Sequence, residues 1–221
     1  MELWKAMEQR HSVRAYTARP IEGETLARLS EAIRQANQQS GLHFQLVREE
    51  PNAFSGGLAK YGRFTGVRNY IAVIGRKGAA ESCGYYGEQL VLRAQQLGLN
   101  SCWVALTYRR VPETYRLDAG EKLYCVIAVG YGKNQGVAHR SKPITRLCRT
   151  EGGMMPDWFR RGVQAAALAP TAVNQQNFCF RLIGHSRVHA SAGFGPYTHI
   201  DLGIAKYHFM LGAGKDNFVW A

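Results

Sequence analysis

The segment "RHSVRAYTARPI", starting at Arg10, sets Arg10, Ser12 and Arg14 at alternate positions. In an extended chain alternate side chains share a face, so two guanidiniums would flank one hydroxyl while His11 and Val13 face elsewhere. Arginine offers a fixed fork of donors to phosphate oxygens. The string therefore reads either as a compact phosphate clamp or as a solvated basic turn. Arg140 and Lys142 in "HRSKP" repeat the spacing after an apolar run. Alone, that pair too could be a solvated loop, but two such clusters in one fold strengthen the case for a shared anion.

"APTAVNQQNF", from Ala169, differs in kind. Pro170 cannot continue a helix, because its ring clashes with the preceding turn. Asn174 then offers both a donor and an acceptor, which suits either a heterocycle edge of alternating C=O and N–H groups or the capping of a turn. In "LGLNSCWVAL" (97–106) a helix gives way to apolar extended chain. There Trp103 and the backbone amides of Val104, Ala105 and Leu106 either line a flat aromatic ligand or pack into the core. His43, His139 and His208 read as structural or solvated, and Cys102 as a buried structural thiol. No catalytic side chain is assigned.

These residues need a scaffold. "GETLARLSEAIRQANQQS" repeats Leu26, Leu29, Ile33 and Ala36 at helical steps. "LHFQLV" alternates as a half-buried strand. "NYIAVIG" (69–75) and "LYCVIAVGY" (123–131) are continuous apolar runs suited to central strands, with the helix "GYYGEQLVLRAQQLGL" between them. A Gly-rich break at "TEGGMMPD" (150–157) opens a second segment: helix "PDWFRRGVQAAALA", loop "PTAVNQQN", strand "FCFRLI", and a helix "DLGIAKYHFMLGAG" capped by Asp201. This order echoes the first segment. "AIRQANQQSGLHFQLV" and "AALAPTAVNQQNFCFRLI" both run helix, polar loop, strand, and a glycine-led helix follows each, from Gly87 and from Gly203. The expectation is an α+β fold with a central, mainly antiparallel sheet flanked by helices, a first part at 1–149 and a partial second copy at 150–221.

The 221 residues are 46% hydrophobic and 20% charged, as a folded globule requires. The N-terminus lacks the cationic and apolar regions of a signal peptide, and no apolar run is long enough to span a membrane, so a cytoplasmic protein without a membrane partner is expected. Five scattered cysteines without a CxxC pair read as reduced thiols, with no metal site. The net charge of +12 fits anionic partners, but there is no run of five basic residues and no nucleic-acid motif.

Taken in order, "RHSVRAYTARPI", "NYIAVIG", "GYYGEQLVLRAQQLGLNSCWV", "VIAVGYG" and "HRSK" resemble the nitroreductase family of FMN-dependent oxidoreductases across nearly the whole chain. That family pairs two α+β subunits around FMN. An Arg-X-Ser-X-Arg segment and a C-terminal basic pair hold the phosphate, and a Pro-Ser-X-X-Asn-X-Gln-Pro-Trp loop reaches in from the partner. Here the place of that loop reads "QANQQSGLHF", and the loop turns up instead at Pro170–Gln176. The resemblance is thus to a branch in which one chain carries one and a half copies, a pseudo-dimer able to act as a monomer. It implies that Arg10, His11, Ser12, Arg14, Arg140 and Lys142 take the phosphate and ribityl end. Trp103, Val104, Ala105 and Leu106 would lie along the ring, and Pro170, Thr171, Ala172, Val173 and Asn174 would reach it. NADH or NADPH would be the electron donor, and a nitroaromatic, quinone or similar small molecule the acceptor. Two departures stand out: Ala105-Leu106 replaces Gly-Gly, and "QQNF" replaces Gln-Pro-Trp. The alternatives are the same fold with another reaction, such as dehalogenation or dehydrogenation, or a non-enzymatic protein that binds anions or nucleic acid through its basic face.

Overall fold

A computed structural model describes residues 1–151 and 154–221. Gly152 and Gly153, in the expected Gly-rich break, lie outside the described residues. The chain is α+β, and its contacts gather into two compact units. The first is Met1–Ala79 with Gln89–Ala138, and the second is Ala80–Glu88 with His139–Ala221. The second unit thus combines Ala80–Glu88 with a continuous stretch from His139 onward. Within it, the His139 Nε2 lies 3.0 Å from the Ala167 carbonyl and the Ser141 hydroxyl donates to the same oxygen at 2.8 Å.

The first unit contains α1 (Leu3–Gln9), α2 (Gly23–Ser40), β1 (Gln45–Val47), β2 (Tyr70–Arg76), β3 (Asn100–Val104) and β4 (Glu121–Gly130), with the later part of α3 (Ala80–Gln96). Its sheet is antiparallel in the order β1-β2-β4-β3. The two continuous apolar runs are its central strands, as their patterning required: β2 and β4 pair from Tyr70↔Ala128 to Arg76↔Glu121 and are buried along most of that length. Helix α2 buries Leu29, Ile33 and Ala36 and ends at Gly41, whose φ of 68° only glycine adopts cheaply. Strand β1 is shorter than the alternation from Leu42 suggests. The Asn37 side chain takes both main-chain groups of Phe44, donating to its carbonyl at 2.9 Å and accepting its N–H at 2.8 Å, so these are lost to the ladder.

The second unit adds α4 (Ile144–Leu147), β5 (Cys148–Thr150), α5 (Asp157–Ala166), β6 (Phe178–Ile183), β7 (Arg187–Ala192), α6 (Thr198–Ala213) and β8 (Val219–Trp220). The expected antiparallel sheet flanked by helices is that of the first unit; this unit adds a four-stranded sheet of its own, ordered β5-β6-β7-β8, with β6 and β7 antiparallel and both outer pairings parallel. Its inner face, Phe178, Phe180, Leu182 and Val188, is buried. Phe180 stacks on Phe209 of α6 at 4.5 Å, and Phe159, Phe218 and Trp220 extend the aromatic cluster. The helices α3 and α6 do not start at Gly87 and Gly203 but at Ala80 and Thr198. Gly203 serves a close crossing instead. A Cβ there would overlap the Glu81 carbonyl oxygen, and one at Gly84 would overlap that of Ile200. Among the described residues no helix is long and apolar enough to cross a membrane.

At the centre of the second unit His208 and Glu88 are both fully buried. His208 Nε2 lies 2.9 Å from Glu88 Oε1, and its Nδ1 lies 3.1 Å from the Ala165 carbonyl oxygen. Removing His208 takes from Glu88 a hydrogen-bond partner that solvent cannot replace, at a cost of about 1–3 kcal/mol. His208→Leu should therefore lower the urea midpoint of unfolding by a corresponding amount. A variant as stable as the parent would show that the pair is not what holds this core.

Candidate functional site

The two groups of candidate residues fall in different units. In the first unit, Arg10 ends α1, its N–H donating to the Ala6 carbonyl at 2.9 Å. The chain beyond it is extended and pinned by main-chain bonds to separate segments. Val13 N–H donates to Ser101 at 3.0 Å, Thr65 N–H to Arg14 at 2.9 Å, and Thr17 N–H to Tyr131 at 2.8 Å. Val13 goes fully into the core while Ser12 is half-buried and Arg14 exposed, as alternation demands. His11 packs on Gly136, where an added Cβ would come within 2.8 Å of its own. Arg10 does not share the exposure of Arg14: it is buried, because it lies where the chain leaves the helix.

The three residues nevertheless act on one place. Burial pushes the Cys102 thiol up, while the Arg14 guanidinium, the Ser12 hydroxyl and the Arg10 guanidinium pull it down. Burial wins, so Cys102 stays a protonated thiol and not a nucleophile. Cys102 sits on β3, so the cationic segment lies beside the strand that carries Trp103 and Val104 and leads to Ala105 and Leu106. Trp103 and Ala105 are half-buried, Val104 is buried and Leu106 is 66% exposed. The Arg14 guanidinium stands 5.9 Å from the Phe64 ring, and among the described residues no carboxylate pairs with it. Elsewhere in this unit His43, Asp118 and Glu121 bring ligand atoms within 4.8 Å of one another. They are already satisfied as a network: His43 Nδ1 meets Glu121 at 2.8 Å and Arg116 meets Asp118 at 2.9 Å.

In the second unit the structure joins the basic pair to the proline-led loop. The Asn174 amide donates to the Arg140 carbonyl at 3.1 Å, and Gln176 donates to that carbonyl at 2.8 Å and to Asn174 Oδ1 at 2.9 Å. The Lys142 ammonium donates to the carbonyls of Gln175, at 2.7 Å, and Gln176, at 3.2 Å. Arg140 itself is exposed. Helix α5 ends at Ala166, short of Pro170, and Ala172–Asn174 forms a single 3₁₀ turn. Val173, Asn174 and Gln176 all take positive φ, at 45°, 55° and 42°. For β-branched Val173, which is 95% exposed, such a backbone is an outlier that packing does not explain. Strain of this kind collects at binding sites.

What holds this loop is Asp201, which the sequence suggested as a helix cap. The residue before α6 is Tyr197, and Asp201 lies within the first turn, 3% exposed. Its carboxylate accepts the Ala172 N–H at 3.0 Å and the Gln175 amide at 2.7 Å. Gln175 and Gln176, inside the loop at Pro170–Gln176 but not among the residues expected to reach the ring, carry part of this network.

Burial pushes the Asp201 carboxyl up from 3.8 to about 6, against the pull of the Ala172 N–H and the Gln175 amide. The folded chain thus holds this proton more tightly than the unfolded one. The group's contribution to stability is full below pH 3.8 and is lost as the pH rises through about 6. A shift of this size is worth about 3 kcal/mol. Thermal unfolding of the parent and of Asp201→Asn should diverge over that window, the parent losing stability relative to the variant as the pH rises. Parallel profiles would overturn the assignment.

Comparison with known proteins agrees with this architecture. The profile of the family described as "Putative TM nitroreductase" matches residues 2–213. A Thermotoga maritima structure described as a nitroreductase is similar over 98% of this chain and 85% of its own, with a TM-score of 0.65 and 22% identity. A Desulfovibrio desulfuricans structure, described as a nitroreductase in complex with FMN, is similar over 66% of this chain and 94% of its own, with a TM-score of 0.50 and 20% identity. No curated protein matches the chain. With nearly its whole length matched, the chain belongs to the nitroreductase family.

Proposed function

We propose that the chain is an FMN-dependent oxidoreductase that passes electrons from NADH or NADPH to a nitroaromatic, quinone or similar small acceptor. The observation that carries this reading is the extended segment beside β3, paired at Ser12↔Ser101 and fixed by main-chain bonds, that leaves Ser12 half-buried and Arg14 exposed, with Arg14 free of any carboxylate among the described residues. That arrangement offers a dianionic phosphate a hydroxyl and a guanidinium on a backbone already fixed. The family and the FMN bound to the Desulfovibrio protein support it.

When bound, the flavin supplies the hydride and electron chemistry. The chain's part is to bind and orient. Arg10, His11, Ser12 and Arg14 would hold the phosphate and ribityl end, Trp103 and the amides of Val104, Ala105 and Leu106 would border the ring, and Pro170–Asn174 would approach its polar edge. Arg140 is exposed and available. Lys142 and Asn174 are engaged by the loop, so they would have to exchange those bonds to contact a ligand directly. Without such an exchange their role is to fix the loop. The reading of residues 150–221 as a stand-in for a partner subunit, and hence of an active monomer in the cytoplasm, belongs to the same proposal.

The purified protein should show flavin absorbance and release about one FMN per chain on heating, and NAD(P)H should bleach it under nitrogen. Arg14→Ala should weaken FMN binding at least about tenfold, as expected for loss of a charge-assisted hydrogen bond. A colourless protein that takes up no added FMN would sink the proposal.

A further inference from the structure

The second unit's sheet has an aromatic inner face and a cationic outer one. Arg149 of β5 stands opposite Arg181 of β6, which stands opposite His189 of β7, so the three share the outer face. Arg187 lies on the same face, one pair further along. All four are exposed. Arg149 and Arg181, two like charges set directly opposite one another on the sheet, cost stability. The relief offered by Glu151 is slight, since it approaches Arg181 only to 4.0 Å with both side chains 56% exposed. Folding alone gives no reason for this arrangement. A bound anion would relieve it.

The face deepens at one end into a cavity of about 400 Å³ whose lining includes Lys142, Thr145, Arg146, Arg149, Asn177 and Ser191. Three cations, two hydroxyls and amide groups line it, and no carboxylate does. Two of the cations are already fixed. Lys142 is held by the carbonyls of Gln175 and Gln176, and the Arg149 guanidinium donates to those of Thr145 at 3.0 Å and Cys148 at 2.7 Å. Arg146, exposed at the end of α4, has no carboxylate partner among the described residues. We propose that this cavity binds a small molecule through a phosphomonoester group, with Arg146 and Arg149 as the binding residues and the outer row of cations drawing the anion in. A single-stranded nucleic acid fits less well, because it needs aromatic platforms for its bases and Cys179 and Ser191 occupy the outer face here.

The proposal does not depend on the flavin reading, since neither Arg146 nor Arg149 is assigned to FMN. Calorimetric titration of the full chain with 2′,5′-ADP and with inorganic phosphate tests it, with Arg146→Gln/Arg149→Gln as the comparison and a short DNA duplex as the polyanion. We expect one 2′,5′-ADP per chain, affinity reduced about tenfold or more in the double variant, and flavin content unchanged. Phosphate binding as tightly as 2′,5′-ADP would support the site and identify free phosphate as its ligand. Arg146→Gln alone, a side chain with no carboxylate partner to lose, keeps the test valid should the double variant fail to fold. Equal affinity in parent and variants, no binding of either small anion, or binding of the duplex alone would overturn the proposal. So would loss of flavin from the double variant, because the cavity would then be holding the FMN phosphate. An absence of flavin in the parent would sink the redox reading and leave this titration untouched.

Discussion

The path of the chain from Ala172 to Gln176 depends on one buried carboxylate. Asp201 sits inside the first turn of α6 and reaches out to the Ala172 N–H and the Gln175 amide. Those two bonds keep Ala172–Asn174 in a tight turn, which turns the bare Val173 side chain outward. The turn in turn presents the carbonyls of Gln175 and Gln176 to Lys142, and Asn174 and Gln176 to the Arg140 main chain. Helix, loop and basic segment are therefore one construction, in which a local backbone cost is met by a charge that would be more stable in water.

The two units solve the problem of a cationic surface differently. In the first, the arginines and a half-buried hydroxyl act on a thiol of β3, and the extended chain that carries them is anchored at Ser101, Thr65 and Tyr131. In the second, cations sit on the outer side of strands whose inner side is the aromatic core. Strands β5 to β7 cannot turn those arginines away, because a one-residue slip would put Phe178, Phe180 and Leu182 into water. Packing fixes the face on which these positions stand, not the charge they carry.

The sequence showed the fold class and the elements with strong periodicity. Helix α2, strands β2 and β4, and helices α5 and α6 stand where apolar spacing put them, because burial on a defined face dictates that spacing. Strands β5 and β8 were invisible at three and two residues, too short for any period to register. Strand β7 was missed because its outer residues are charged or polar and only Val188 is fully buried on its inner side. At the candidate site, the alternation of Ser12, Val13 and Arg14 was legible, whereas the burial of Arg10 depends on how α1 ends. Asp201 was misread for a clear reason. An acidic residue near a helix start looks like a cap, and only the tertiary path of a loop 29 residues earlier in the chain shows what it binds.

The buried histidine has a consequence for the charge of the core. The Ala165 carbonyl can only accept, so the hydrogen bond at His208 Nδ1 requires a hydrogen on that nitrogen. A second hydrogen must lie between Nε2 and Glu88 to make the other bond. Whether it resides on the ring or on the carboxyl, the pair sums to zero. The pair therefore adds no net charge to the interior of the second unit, and moving that hydrogen across the bond changes the pair's dipole but not its charge.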